Sequence, residues 1–379
     1  MTTLLCVCGR ANFTNMSRYS ELNEKTYRRN YAKPLAFTTI HSKLIEQCSS
    51  PEQERIAAID CTFVPKSGKK TEGLDHFYNG SHSKSERGLE WSLLSIVDLN
   101  QNTAYPLNAI QTKASKSNTR TQQYLEQVQE NRDALPKDIE YLVGDGYYSK
   151  KPWIDGIRKL KLHVIGKLRS DARLKYFYTG PQKSRGRKRQ YSENVDLNAI
   201  DNPPEHGAGF EWIASVDEKI DVYSAWVYSP AFKQAIKVVY LRKVTTTGFS
   251  TALLFCTDKS CPALDVYRYY KARFQIEFIF RDSKQFLGLT HCQARDAQKL
   301  DFHVNSVLMT LNVLKVHWFG HRHRTSVKPI KPFSVANYTR REFNGFLLRT
   351  FLARSGLEQT CKELETHYLQ CLDIGLIAS

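Results

Sequence analysis

The chain has 379 residues, with 55 lysines and arginines against 38 aspartates and glutamates, a net charge of +17 and a pI near 9.4. That length implies roughly two or three folding units, and the charge calls for a polyanionic partner, nucleic acid ahead of an acidic membrane surface. Nine cysteines without paired CxxC spacing argue against a disulfide framework or a zinc site. The apolar N-terminal run lacks a basic leader and no stretch reaches the length of a membrane helix, so the expectation is a soluble, cytoplasmic protein.

Residues 13–47 carry helix signals: a turn around Glu21 to Asn23, a run from Glu24 to Tyr31, a break at Pro34 and a run from Phe37 to Glu46. Residues 1–50 therefore read as a helical DNA-binding region similar to a small helix-turn-helix unit, presenting Lys25, Arg28 and Arg29 to DNA. A solvated basic helix on a bundle is the other reading. The chain opens inside helical sequence, which suggests that a natural relative extends further upstream.

From Arg55 the pattern becomes a buried strand, Ile56 to Val64, with Asp60 at its centre. A carboxylate there needs a hydrogen-bond donor, a cation or a metal. Residues 66–88 read as a polar loop close to DNA, carrying Lys66, Lys69, Lys70, Lys84 and Arg87. Residues 91–99 and 105–111 form a hairpin and 121–131 a helix. Residues 140–145 are a second apolar strand ending in Asp145, at the end of the sheet where α/β folds bind ligands. A helix over 151–160 and a strand over 162–168 complete residues 51–170 as a mixed α/β sheet with an antiparallel edge. Residues 171–256 read as a mostly antiparallel β insertion. Its basic run, with Arg185, Arg187, Lys188 and Arg189, either follows a phosphate backbone or is simply solvated. Residues 257–320 return to helix, with Leu300, Val304, Val307, Leu308, Leu311 and Leu314 at core spacing. Residues 321–379 form a helical tail, entered through His321 and His323 in a basic turn that is DNA-facing or solvated rather than metal-binding.

The segment from Val266 to Leu287 holds Tyr270, Arg273, Glu277 and Lys284, which at about 100° per residue fall within an arc of roughly 60° on one helix. A phenol, a guanidinium, a carboxylate and an ammonium thus share one face among apolar neighbours. The pattern suits either an intrahelical salt-bridge ladder or a metal-binding acid flanked by phosphate-binding cations. Asp60, Asp145 and Glu277 together suggest a single site in which two hard divalent ions, about 3.5 to 4 Å apart, promote phosphodiester chemistry on DNA. No phosphate-binding GxxxxGK[ST] loop, GxGxxG turn, GxSxG elbow or HExxH helix offers a competing chemistry.

The spacing Tyr270, Arg273, Glu277, Lys284 matches the Tyr, two, Arg, three, Glu, six, Lys signature, and the chain resembles bacterial DDE transposases of the insertion-sequence-four type over roughly residues 55–316. The resemblance implies an α/β, ribonuclease H-like catalytic core in two parts, 51–170 and 257–320, interrupted by the β insertion. It further implies that Asp60, Asp145 and Glu277 ligate Mg²⁺, or Mn²⁺ in its place, in a two-metal site, while Tyr270, Arg273 and Lys284 hold DNA phosphates. The implied activity is cut-and-paste strand cleavage and transfer through a hairpin intermediate, by a homodimer joining double-stranded transposon ends to target DNA near the bacterial nucleoid. A metal-dependent nuclease without strand transfer, or an inactive DNA-binding derivative, are the alternatives. Two positions depart from the pattern: Phe274 stands where some relatives carry a Trp that displaces a flipped base, and Gly146 follows Asp145 one residue early.

Overall fold

The computed structural model describes residues 2–377 apart from 51, 116, 202, 203, 218, 247, 326–332 and 357–361. Four short helices open the chain: α1 (Thr2–Cys6), α2 (Phe13–Met16), α3 (Glu24–Asn30) and α4 (Phe37–Glu46). Asn12 and Asn23 start α2 and α3 by accepting the backbone N–H three residues on, each at 2.9 Å. These helices do not form a separate module. Leu4, Met16, Tyr27 and Tyr31 are buried in the same apolar cluster as the helices near the C-terminus.

The strands β1 (Arg55–Pro65), β2 (Asp75–Asn79), β3 (Lys84–Asp98) and β4 (Thr103–Thr112) are followed by α5 (Arg120–Glu130), β5 (Tyr141–Val143), α6 (Lys151–Lys159) and β6 (His163–Leu168). β3 lies antiparallel between β1 and β4, whereas β1, β5 and β6 run parallel. β1 is therefore central, and its side chains alternate between two cores: Ile56 and Ala58 face one, Ala57 and Ile59 the other. The expected strand over 140–145 is shorter than its apolar pattern, ending at Val143, so Asp145 lies just beyond it.

Residues 66–88 are not wholly a loop. Asp75 to Asn79 pair with Gly88 to Lys84 in a hairpin, pinned by the fully buried Phe77. One inward apolar residue among charged neighbours gave no alternation to read. Gly88 lies where this hairpin crosses β1: an added Cβ would meet the Phe63 ring at 2.4 Å and the Val64 carbonyl at 2.6 Å. Gly88→Ala is expected to lower the thermal midpoint, at a cost of about 1–3 kcal/mol from overpacking; an unchanged midpoint would show that the Phe63 ring and the strand yield freely.

The insertion supplies β7 (Lys175–Phe177), β8 (Tyr191–Asn194), β9 (Glu211–Val216), β10 (Ile220–Ser229), β11 (Gln234–Thr245) and β12 (Gly248–Cys256), all antiparallel. It is not a detached lobe in hydrogen-bonding terms, because β12 pairs with β6 and continues the core into a 12-stranded sheet. Helices α7 (Ala263–Ala272), α8 (Gln275–Gln285) and α9 (Ala297–Thr325) then cover the Ile56/Ala58 face, and α5 and α6 cover the other. The chain closes with α10 (Val335–Ser355) and α11 (Lys362–Leu372). The backbone at His321 and His323, expected as a turn, continues α9; their side chains lie outside the described residues. No helix among the described residues is long and apolar enough to cross a membrane.

His303 of α9 is buried, and its Nε2–H donates to the Gly288 carbonyl at 2.9 Å, tying α9 to the turn after α8. Burial, aided by the nearby His291 and Lys66, holds its pKa down at about 4 despite that hydrogen bond. An unfolded histidine takes up its proton near pH 6.5. The stability contributed by neutral His303 is thus present above that pH and lost as pH falls toward 4, by about 3 kcal/mol. His303→Gln keeps the donor and removes the proton uptake, so its thermal midpoint should fall less between pH 6.5 and 4.5 than the parent's. Identical slopes would exclude His303 as a source of acid lability.

Candidate active site

Alternation along β1 puts Asp60 on the Ile56/Ala58 face, and Asp145, two residues beyond Val143, follows the same parity. α7 and α8 cover that face, which is how acids 85 and 132 residues apart in sequence come together: 145 − 60 and 277 − 145. Asp145 also caps the turn that follows it, accepting the Tyr147 N–H at 2.8 Å.

The four signature residues do not lie on one straight helix. α7 ends at Ala272 and α8 begins at Gln275, with three-residue hydrogen bonds from Phe274, Ile276 and Glu277 N–H to Lys271, Arg273 and Phe274 carbonyls at 3.2, 3.0 and 3.0 Å. No glycine or proline marks this junction. It arises where Tyr269 before it and Ile276 after it both bury against the sheet while Phe274 stays half exposed.

Arg273 sits at the junction and joins two acids. Its guanidinium lies 2.7 Å from Asp60 Oδ2 and 3.2 Å from Glu277 Oε1. The ladder and site readings of this segment therefore coexist in one residue: the Arg273–Glu277 pair is intrahelical in spacing, and the Asp60 contact carries it into the sheet. Burial pushes the Asp60 carboxyl up to about 6, with the charges of Asp145 and Glu277 adding to that rise and Arg273 opposing it. Tyr270 stands beside them, with the Arg273 guanidinium 5.7 Å from its ring centre. Burial lowers the Lys284 pKa, and among the described residues its ammonium has no ion pair.

Asp60, Asp145 and Lys284 line one cavity of about 490 Å³. Sequence reasoning missed several of its other walls. Glu90 of β3 is buried, accepts the Tyr124 hydroxyl at 2.6 Å and lies 3.7 Å from Arg120. Its position in an apolar strand was a legible signal; Arg120, at the first turn of α5, had none. Tyr78 of β2 and Tyr147 complete the mouth.

Other residues expected at DNA lie elsewhere. The Lys66 ammonium donates to the Cys292 carbonyl and braces β1 against that loop. Lys25, Arg28 and Arg29 are exposed on α3, with Arg28 paired to Glu24 at 2.8 Å. Arg185, Arg187, Lys188 and Arg189 are exposed between β7 and β8, and Arg189 lies 4.6 Å over the Tyr178 ring.

The model of a transposase DDE domain matches residues 51–313, more than half of the chain. The chain belongs to this transposase family. No curated protein matches it at a meaningful level. The protein is thus a DDE-type enzyme of metal-dependent DNA cleavage and strand transfer, and its mixed sheet with flanking helices is the ribonuclease H-like core of that family. The three acids offer only hard oxygen donors, and the charges of Asp145 and Glu277 add to the rise of the Asp60 carboxyl, which a divalent cation would relieve. Among the described residues they are not drawn into one cluster of three ligands, and Arg273 stands as the cation between Asp60 and Glu277.

Proposed function

We propose that this transposase is of the insertion-sequence-four type and moves DNA by a cut-and-paste route with Mg²⁺, using Asp60, Asp145 and Glu277 as metal ligands. The observation that supports this most is the convergence of Asp60, Asp145 and Lys284 on one cavity, with Glu277 tied in through Arg273. A divalent ion held by these acids would supply Lewis-acid charge to the phosphodiester chemistry. Lys284, desolvated and without an ion pair among the described residues, holds a non-bridging phosphate oxygen. Arg273 is shared between the acids in the free protein, and a bound ion that neutralised them would leave its guanidinium available to phosphate. Tyr270 orients Arg273 across its ring. Phe274, half exposed at the junction and edge-on to Phe278 at 5.2 Å, is placed to wedge a strand open for a hairpin step. The exposed cations of α3 and of the 183–189 run track the phosphate backbone, and two copies of the chain synapse the two ends.

The test is cleavage of a labelled duplex bearing the element's terminal repeats, in Mg²⁺ or EDTA, with a plasmid as target. Cleavage and plasmid joining by the parent in Mg²⁺, both absent in Glu277→Gln, are expected. Glu277→Gln cutting as well as the parent would reject the ligand assignment, and cutting without joining would favour a nuclease. A hairpin end, seen as a slow band on a denaturing gel, should weaken in Phe274→Ala.

A further inference from the structure

The cavity that holds Asp60 and Asp145 has a wall that phosphate chemistry does not use. Tyr78 and Tyr147 line its mouth and are exposed by 62% and 39%. They reach it from different elements, Tyr78 from β2 and Tyr147 from the turn capped by Asp145. Both are held from beneath. Phe77, next to Tyr78, is fully buried with the Arg120 guanidinium stacked 4.6 Å from its ring, so β2 cannot turn its outer residue away. Tyr147 packs edge-on against Tyr124 and Tyr148, at 5.9 and 5.6 Å, and its N–H is bonded to Asp145. Tyr78 has no ring partner among the described residues. Two supported, partly exposed phenol rings at the mouth of the cavity offer flat apolar faces that suit a base better than a phosphate, for which Lys284 and Arg120 are available on the wall.

Resting on the reading of the cavity as the cleavage site, we propose that Tyr78 and Tyr147 form a stacking platform for an unpaired nucleobase next to the scissile phosphate. A base inside a duplex has both faces covered by its neighbours. Only a frayed, overhanging or displaced base offers a free face, and aromatic side chains take such faces with little sequence preference. The cations already present would orient that nucleotide: Lys284 and Arg120 lie on the cavity wall for its phosphate, and the two rings lie at the mouth for its base. Lys150, whose ammonium stands 3.4 Å over the Tyr147 ring, occupies a stacking position in the free protein. A base displaces it toward the adjoining phosphate. This platform is distinct from Phe274, which does not line the cavity.

The experiment uses the full chain in EDTA with two otherwise identical duplexes. One carries 2-aminopurine in a three-nucleotide single-stranded overhang, the other carries it paired inside a blunt end. The expected result is quenching of the overhang probe on binding, with little change for the paired probe, and a preference for overhang DNA. That preference should fall about tenfold in Tyr78→Ala and in Tyr147→Ala and be kept in the Phe variants. Equal quenching of both probes, or a Tyr78→Ala/Tyr147→Ala double variant that quenches like the parent, overturns the platform while leaving the cleavage-site reading intact. Failure of the parent to bind either duplex overturns both.

Discussion

Asp60→Asn should abolish strand cleavage, by on the order of 10³-fold or more, without lowering the protein's stability. The loss follows from removing a proposed metal ligand, because metal-assisted charge stabilisation contributes several kcal/mol and each 1.4 kcal/mol is about tenfold in rate. The stability expectation follows from the sign of the Asp60 shift. Its folded pKa of about 6 lies above the ordinary aspartate value, even with Arg273 2.7 Å away. Stability is therefore full below the unfolded pKa and is lost as pH rises through 6, by about 3 kcal/mol. Asn avoids that ionisation. Thermal midpoints of parent and variant in EDTA should agree near pH 4 and separate in favour of the variant by pH 8. A variant that cleaves within tenfold of the parent removes Asp60 from the site, and one that melts lower at pH 8 shows that Arg273 needs Asp60 more than burial opposes it.

Arg273→Ala should be the most destabilising change in the site. The side chain is only 12% exposed and compensates two carboxylates at once. Removing one partner of a buried ion pair typically costs about 3–5 kcal/mol because the remaining charge is left unpaired, a drop in thermal midpoint of roughly 10 °C. Millimolar Mg²⁺ should restore part of that loss, and raise the variant's midpoint more than the parent's, because an ion held by the proposed ligands would replace the missing positive charge. Arg273→Lys should fall between the two: it keeps one charge but lacks the planar fork that reaches both acids. If Mg²⁺ shifts parent and variant equally, Arg273 and the ion do not share a role.

How much of this was legible from the chain depends on range. The strand through Asp60 was readable because its apolar run is interrupted by a single acid, and α3, α4, α5 and α6 because caps, prolines and periodicity bound them. The signature from Tyr270 to Lys284 was readable in the spacing, and the resemblance to the family rested on that signature together with the order of Asp60, Asp145 and Glu277 along the chain. The β2–β3 hairpin was not legible, since Phe77 is its one inward apolar residue and its order depends on packing beneath Arg120. Neither was the turn at Arg273, which no local residue type demands, nor Tyr78, Arg120 and Tyr147 as walls of the cavity.

Local order, the acids and the excess of positive charge are written in short-range patterns, and these determine that the chain is an α/β enzyme acting on a polyanion. Which acids meet, and which cation stands between them, is decided by sheet order and strand parity. β1 must pair with both β3 and β5, and α7 and α8 must close over the Ile56/Ala58 face, before Asp60, Asp145, Arg273 and Glu277 share one electrostatic environment. Charge–charge interaction acts through space with a range of about 10 Å. Sequence separation carries no trace of it until the sheet has formed.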